Sequence, residues 1–182
     1  MNRKLILLAA GVVSACTVIA VNVVPASGQV SHPTPATVAA ASPNSSGGTL
    51  GTSHFLTLSA AQKVANVALA NCQQRGFAVT VTILDRDGLV IVQERGDGAT
   101  GATVNVSEEK AYAAVGFQSP TSALQQAATT QPGFTAIPGF VILPGGLPIS
   151  VNGSVVAGIG VSGTPSGDTD AACAQVGIDQ LS

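Results

Sequence analysis

Charged residues are scarce in this sequence. Its 182 residues include seven Lys or Arg and nine Asp or Glu, and none of these charges lies between Lys4 and Lys63. A nucleic-acid-binding protein needs clustered basic side chains to neutralise phosphates, so that class is excluded. Highly charged intrinsic disorder is excluded as well. From Phe55 onward the chain carries five bases and all nine acids (5 − 9 = −4), over a length that suits one domain.

Histidine is also nearly absent. The chain contains two, His32 and His54, and none follows from Phe55 onward. Ser-His-Asp hydrolysis, Cys-His nucleophilic catalysis and His-ligated zinc all need an imidazole within the folded domain. These chemistries are excluded unless His54 folds back onto the domain. We assign no catalytic residue, and the sequence favours a binding role over catalysis.

The first 26 residues have the pattern of an export signal. Arg3 and Lys4 precede an apolar run over residues 5–24, which ends among small residues, so a signal peptidase could cut after Ala26. Two alternatives stay open. About 20 apolar residues can span a bilayer as an uncleaved anchor, and Cys16 follows small residues as a lipidated cysteine would. All three interpretations predict a secreted or cell-surface protein.

Residues 27–54 are predicted to be a disordered linker. This segment is rich in Pro, Ser, Ala, Thr and Gly and contains no charged residue. Such a composition cannot bury enough apolar surface to offset the entropy lost on ordering. The folded domain is therefore predicted to comprise residues 55–182.

Hydrophobic periodicity within this domain predicts the element order α-β-β-α-α-β-β-β-α. Helices are expected at residues 60–75, with Ser59 as N-cap, and at 103–117, 122–128 and 168–181. Strands are expected at residues 77–84, 89–93, 140–143, 147–151 and 154–161. Hairpin turns join neighbouring strands, which requires antiparallel pairing. We expect an α+β domain with a five-stranded antiparallel sheet, whose first and last helices cover one face.

The cysteines of the domain predict one disulfide. Cys72 lies on the apolar stripe of the first predicted helix, and Cys173 lies in the last predicted helix. Two terminal helices that share one face of a sheet can bring these residues together, and an exported protein meets an oxidising compartment. We expect a Cys72–Cys173 disulfide, with two buried free thiols as the alternative.

Two carboxylates form a weak candidate for a metal site. Glu94 and Asp97 lie at the end of the second predicted strand, beside a glycine-rich loop. Carboxylate oxygens bind hard cations. A solvated rim of the sheet is the alternative explanation of the same two residues, and the better one.

Several motifs occur in the order typical of one protein family. They are ERGDGA at residues 94–99, KAYAA at 110–114, PTS at 120–122, LPGGLPI at 143–149 and GIGVSG at 158–163. From residue 56 to its end, the sequence resembles the GlcG/HbpS-like haem-binding family. The resemblance implies a profilin-like fold and self-assembly into homo-oligomers. It also implies haem binding in uptake, sensing or degradation, with a membrane sensor as a partner of some exported members.

Haem binding requires an axial ligand to the iron, and this sequence offers few. The usual ligands are His, Cys, Met and Tyr. With the two cysteines paired, His54 and Tyr112 remain, together with His32 in the linker. His54 is the first choice because a terminus can fold over a neighbouring pocket. A lone Tyr on a helix among small residues is more often half-buried core.

The resemblance also suggests residues that would surround the haem. Thr121 lies in the PTS motif and is a candidate for lining the pocket, although it could instead begin the short helix. Arg95 or Lys110 could pair with the haem propionates, since charge-assisted hydrogen bonds to carboxylates are strong.

A second hypothesis stays open beside haem binding. The chain could be a secreted, oligomeric binding module for a different small ligand, with neither haem nor catalysis. The scarcity of axial ligands supports this alternative, and so do Gly- and Ala-rich segments suited to packing between subunits.

Overall fold

The computed structural model describes residues 51–181 and has the element order α-β-β-α-α-β-β-α, apart from two short 3₁₀ helices. The helices are α1 (Leu58–Gln74), α2 (Ala102–Phe117), α3 (Thr121–Ala128) and α4 (Gly167–Ile178). The strands are β1 (Thr80–Asp85), β2 (Val90–Arg95), β3 (Gly146–Val151) and β4 (Ser154–Ser162). Within residues 51–181 no helix is long and apolar enough to cross a membrane. The predicted signal, with its anchor and lipidation alternatives, and nearly all of the predicted linker lie outside the described residues.

The four strands form one antiparallel sheet in the order β2-β1-β4-β3. The turn between β1 and β2 is held by Asp85, whose Oδ1 accepts hydrogen bonds from the backbone N–H groups of Asp87 and Leu89, both at 2.9 Å. The turn between β3 and β4 places Asn152 and Gly153 at positive φ, the conformation that a tight hairpin requires. Two of the three predicted hairpins are therefore confirmed.

The strand predicted over residues 140–143 is wrong, so the described sheet has four strands and not five. The backbone N–H of Val141 donates to the carbonyl of Glu109 in α2 at 3.4 Å, not to a strand. The Phe140 ring contacts Tyr112, with centroids 5.0 Å apart. Ile142 packs with Ala113 of α2 in a small second core. A short apolar run indicates that a segment is buried, but it does not show whether that segment is a strand or a packed loop.

Helices α1 and α4 cover one face of the sheet, as predicted. The helical spacing of α1 buries Ala61, Val64, Ala65, Ala68 and Cys72. They pack in one core with sheet residues that include Val81 and Ile159. The N-cap is Thr57 rather than Ser59, because the Thr57 hydroxyl accepts from the backbone N–H of Ala60 at 3.3 Å.

The predicted disulfide joins these two helices. Cys72 and Cys173 are bonded, with their Cα atoms 5.7 Å apart, and neither residue has any exposed surface. The bond closes a sequence separation of 101 residues. It therefore links the first helix of the domain to the last.

Helix α2 covers the opposite face of the sheet and lies directly against the backbone of β4. A Cβ on Gly158 would come within 2.7 Å of the Ala111 carbonyl oxygen, and a Cβ on Gly160 would overlap the Ser107 carbonyl. Only glycine at these two positions allows so close an approach. The Thr82 and Ser107 hydroxyls are 2.7 Å apart and hydrogen-bond across the same interface. This contact fixes the side chains of α2 relative to the sheet.

Candidate functional site

His54 lies just before α1, on the wall between two clefts. The first, here called the His54 cleft, has a volume of about 330 Å³. Besides His54, its walls include the apolar residues Phe55, Leu56, Ala60, Val151 and Val156. They come from the start of α1 and from the β3–β4 hairpin, so this apolar surface is assembled from distant parts of the chain.

The second, the Arg86 cleft, shares His54, Ser154 and Val156 with the first and has a volume of about 310 Å³. Its other walls are mostly polar and include Arg86 and Gln118. Arg86 projects from the β1–β2 turn, and the residues described include no ion pair that involves it. Both volumes lie within the range of small-molecule sites. An exposed imidazole therefore separates an apolar cleft from a cationic one.

Tyr112, the other predicted axial ligand, borders a separate cleft. This Tyr112 cleft has a volume of about 340 Å³, and the tyrosine is 41% exposed. Its walls carry three carboxylates, those of Asp87, Glu108 and Glu109. Their negative charge repels an anionic ligand such as a haem propionate. The structure thus does not bring Tyr112 and His54 to one cleft.

Lys110 and Thr121 both form hydrogen bonds in the interior, and their predicted place in a haem pocket stays a prediction. The Lys110 ammonium forms an ion pair with Asp170 at 2.9 Å and donates to the Val161 carbonyl at 3.0 Å, with both charged side chains 3% exposed. The Thr121 hydroxyl accepts from the N–H of Gly146 at 3.0 Å. Neither side chain lines the His54 cleft or the Arg86 cleft, so neither is available to a haem placed there.

Arg95, Glu94 and Asp97 lie at the end of β2 and beyond it, and none of them lines the clefts at His54. Arg95 and Asp97 are exposed, whereas Glu94 is half-buried. Partial burial raises the pKa of Glu94, because desolvation disfavours its charged form. Residues 51–181 contain no group of three or more His, Cys, Asp or Glu arranged to hold a metal ion. The pair Glu94 and Asp97 therefore receives no support as a metal site.

Arg86 is the residue beside His54 that the sequence did not reveal. Its neighbours Asp85 and Asp87 belong to the predicted β1–β2 turn. Because the turn explained these residues, no sequence pattern assigned a binding role to Arg86. A basic residue at the tip of a turn, between two Asp residues in the sequence, is the signal that could have indicated it. Its closeness to His54 depends on the fold, because 32 residues separate the two positions (86 − 54).

A family model described as "haem degrading protein HbpS-like" matches residues 56–179. The chain belongs to the HbpS-like family. This HbpS-like chain is 41% identical to a double mutant of HbpS from Streptomyces reticuli, with a TM-score of 0.72 and coverage of 79% of this chain and 99% of that protein. The predicted resemblance to the GlcG/HbpS-like proteins is confirmed.

Two further relatives of the HbpS-like chain are more distant. ORFY of Klebsiella pneumoniae is 27% identical, with a TM-score of 0.68 and coverage of 74% of this chain and 96% of ORFY. An uncharacterised 15.0 kDa protein from the dhaT-dhaS intergenic region of Citrobacter freundii is 31% identical over 115 residues, which are 59% of this chain and 80% of the relative.

Proposed function

We propose that this HbpS-like domain binds haem in the paired clefts at His54. The observation that carries the proposal is the position of the imidazole, on the wall between an apolar cleft and a cleft that contains Arg86. The description of the family as haem-degrading supports the same ligand.

The residues at these clefts fit the chemical parts of haem. Neutral imidazole is a common axial ligand to haem iron. The apolar side chains of the His54 cleft, which include Leu56 and Val156, offer a surface for the porphyrin ring. The guanidinium of Arg86 can form paired hydrogen bonds with a propionate. Bound haem would supply a redox-active iron, while the protein supplies binding, orientation and electrostatics.

Replacing His54 by alanine is expected to raise the Kd for hemin about tenfold or more, because the iron loses its protein ligand. A tenfold change corresponds to about 1.4 kcal/mol of binding free energy. Titration of the purified protein with hemin, followed by absorption, should produce a sharp Soret band. That band should broaden and weaken in the His54→Ala variant.

The matched control is His32→Ala, because His32 is the other histidine of the chain. This variant should bind hemin as the unaltered protein does. Hemin spectra that stay those of free hemin, or that are the same with and without His54, would rule out the proposed site.

Replacing Arg86 by glutamine is expected to raise the Kd for hemin about three- to fivefold. The reason is that an exposed ion pair, here between Arg86 and a propionate, contributes up to about 1 kcal/mol. The loss should shrink as salt is raised, since salt screens exposed charges. It should also vanish when hemin dimethyl ester, which lacks the propionate charges, replaces hemin. An equal loss with both compounds would mean that Arg86 does not recognise propionates.

We also propose that the protein is exported and acts in haem uptake, sensing or degradation, as a homo-oligomer and with a membrane sensor as partner. The N-terminal pattern that begins with Arg3 and Lys4 supports export. The buried Cys72–Cys173 bond supports it too, because stable disulfides form in oxidising compartments. Cell fractionation should find the disulfide-bonded protein outside the cytoplasm, and a reduced protein in the cytoplasmic fraction would contradict export.

A further inference from the structure

A cleft on the α2 side of the sheet contains the buried ion pair. This Lys110 cleft has a volume of about 420 Å³ and shares no lining residue with the His54 or Arg86 clefts among residues 51–181. Its lining includes Lys110, Gln125, Leu143, Ser162, Thr164 and Asp170. The haem proposal makes no use of these residues.

The ion pair retains unused hydrogen-bonding capacity. A lysine ammonium has three donors, and two of those of Lys110 go to Asp170 Oδ2 at 2.9 Å and to the Val161 carbonyl at 3.0 Å. Asp170 Oδ1 accepts from the backbone N–H of Thr164 at 3.1 Å, and each carboxylate oxygen can accept a further hydrogen bond. The pair can therefore offer a ligand both a donor and an acceptor.

Ser162 adds an accessible polar group to the same cleft. It lines the same cleft and is only 8% exposed. Its hydroxyl forms no hydrogen bond with any residue of the described part of the chain, whereas the buried Thr82 and Ser107 hydroxyls on the same face bond to each other. No buried side-chain nitrogen or oxygen of residues 51–181 lacks a hydrogen-bond partner, so the Ser162 hydroxyl is reached by solvent from the cleft. A ligand in the cleft can therefore hydrogen-bond to it.

Glycines allow two loops to close over the ion pair. A Cβ on Gly145 would come within 2.8 Å of the Lys110 ammonium, and a Cβ on Gly167 within 2.6 Å of the Pro144 carbonyl oxygen. The loop that precedes β3 thus lies directly against Lys110, and the first residue of α4 lies directly against that loop. Both charged side chains are therefore nearly buried, although they still border the Lys110 cleft.

The charges of the lining determine the class of ligand. Lys110 and Asp170 cancel each other, and the other residues that line the cleft are uncharged. Neither an anion nor a cation gains net attraction there. We infer that the Lys110 cleft binds a small uncharged organic compound, through a hydroxyl or carboxamide group that contacts Lys110, Asp170 and Ser162.

Stability alone does not account for this arrangement. A buried ion pair is often no more stabilising than apolar residues of similar volume. The buried pair is explained if the cleft contributes to binding.

The test uses two probes of nearly equal shape. Acetamide is uncharged and carries a carboxamide, whereas acetate carries a negative charge. Each is titrated into the ¹⁵N-labelled protein, and the backbone amide signals of Ser162, Gly163 and Thr164 are followed by NMR. Acetamide should shift these signals to saturation, and acetate should bind at least about tenfold more weakly.

The variant Ser162→Ala removes the hydroxyl and little else. It should fold normally and bind acetamide about three- to tenfold more weakly, the usual net effect of one hydrogen bond. If acetamide leaves the three signals unmoved, or if Ser162→Ala binds acetamide as well as the unaltered protein, the inference is overturned. Hemin binding by Ser162→Ala should be unchanged, which separates this result from the haem proposal.

Discussion

Replacing Lys110 by methionine is expected to destabilise the domain by about 3–5 kcal/mol, the usual cost of breaking a buried ion pair by removing one partner. Methionine fills a similar volume but leaves the Asp170 carboxylate buried without its counter-charge. The pair is 3% exposed on both sides, so water from the neighbouring cleft can replace only part of the lost interaction. Urea unfolding at neutral pH measures the change in the free energy of unfolding.

The matched control removes both charges. Adding Asp170→Asn to Lys110→Met replaces the carboxylate by an uncharged group of the same shape. Most of the lost stability should return, since the desolvation cost of an unpaired charge is gone. A single variant that loses less than about 1 kcal/mol would show that the pair is solvated, as exposed ion pairs are.

Replacing Cys72 and Cys173 together by alanine is expected to cost about 4–5 kcal/mol in the chain-entropy model, because the disulfide closes a loop of about 100 residues. The sequence separation is 101, and the bond ties α1 to α4 across the main core. Both sulfur atoms are buried, so the variant also loses packing. Denaturant unfolding of the oxidised protein and of the variant gives the difference.

The single variants test the origin of this effect. Cys72→Ala and Cys173→Ala each break the same bond, so each should cost nearly as much as the double replacement. If the two single costs instead add up to the cost of the double variant, packing of the side chains and not the crosslink would be the source of the stability.

Local patterns were sufficient to predict most of the elements. The spacing of Ala61, Val64, Ala65, Ala68 and Cys72 identified α1 and its buried face, and all five are fully buried. Turn residues identified the β1–β2 and β3–β4 hairpins. The prediction of a strand at residues 140–143 was wrong. Apolar side chains of this segment pack against α2 and α3, but its backbone does not pair with a strand of the sheet.

The position of α2 could not be read from its own sequence. It covers the face of the sheet opposite α1 and α4 because Gly158 and Gly160 expose the backbone of β4. Glycines that alternate along one face of a strand predict such a close approach, and this signal is visible in the sequence. The partner of Lys110 carries no comparable signal, since Asp170 is 60 residues away (170 − 110) in another helix.

The candidate site was predicted only in part. His54 was chosen because a terminus can reach a neighbouring pocket, and the structure places it at two clefts. The walls of those clefts come from α1, the β1–β2 turn and the β3–β4 hairpin. Arg86 therefore becomes a candidate only once these elements are assembled, whereas Lys110 and Thr121 are used by the core.

The central claim is that His54 ligates the iron of bound haem, and the scarcity of histidine makes it directly testable. In a His32→Asn variant labelled with ¹⁵N only in histidine, every labelled imidazole belongs to His54. Pulsed electron paramagnetic resonance of the ferric hemin complex should then show hyperfine coupling from a ¹⁵N nucleus bound to iron. A complex with a sharp Soret band but no ¹⁵N coupling would contradict the account.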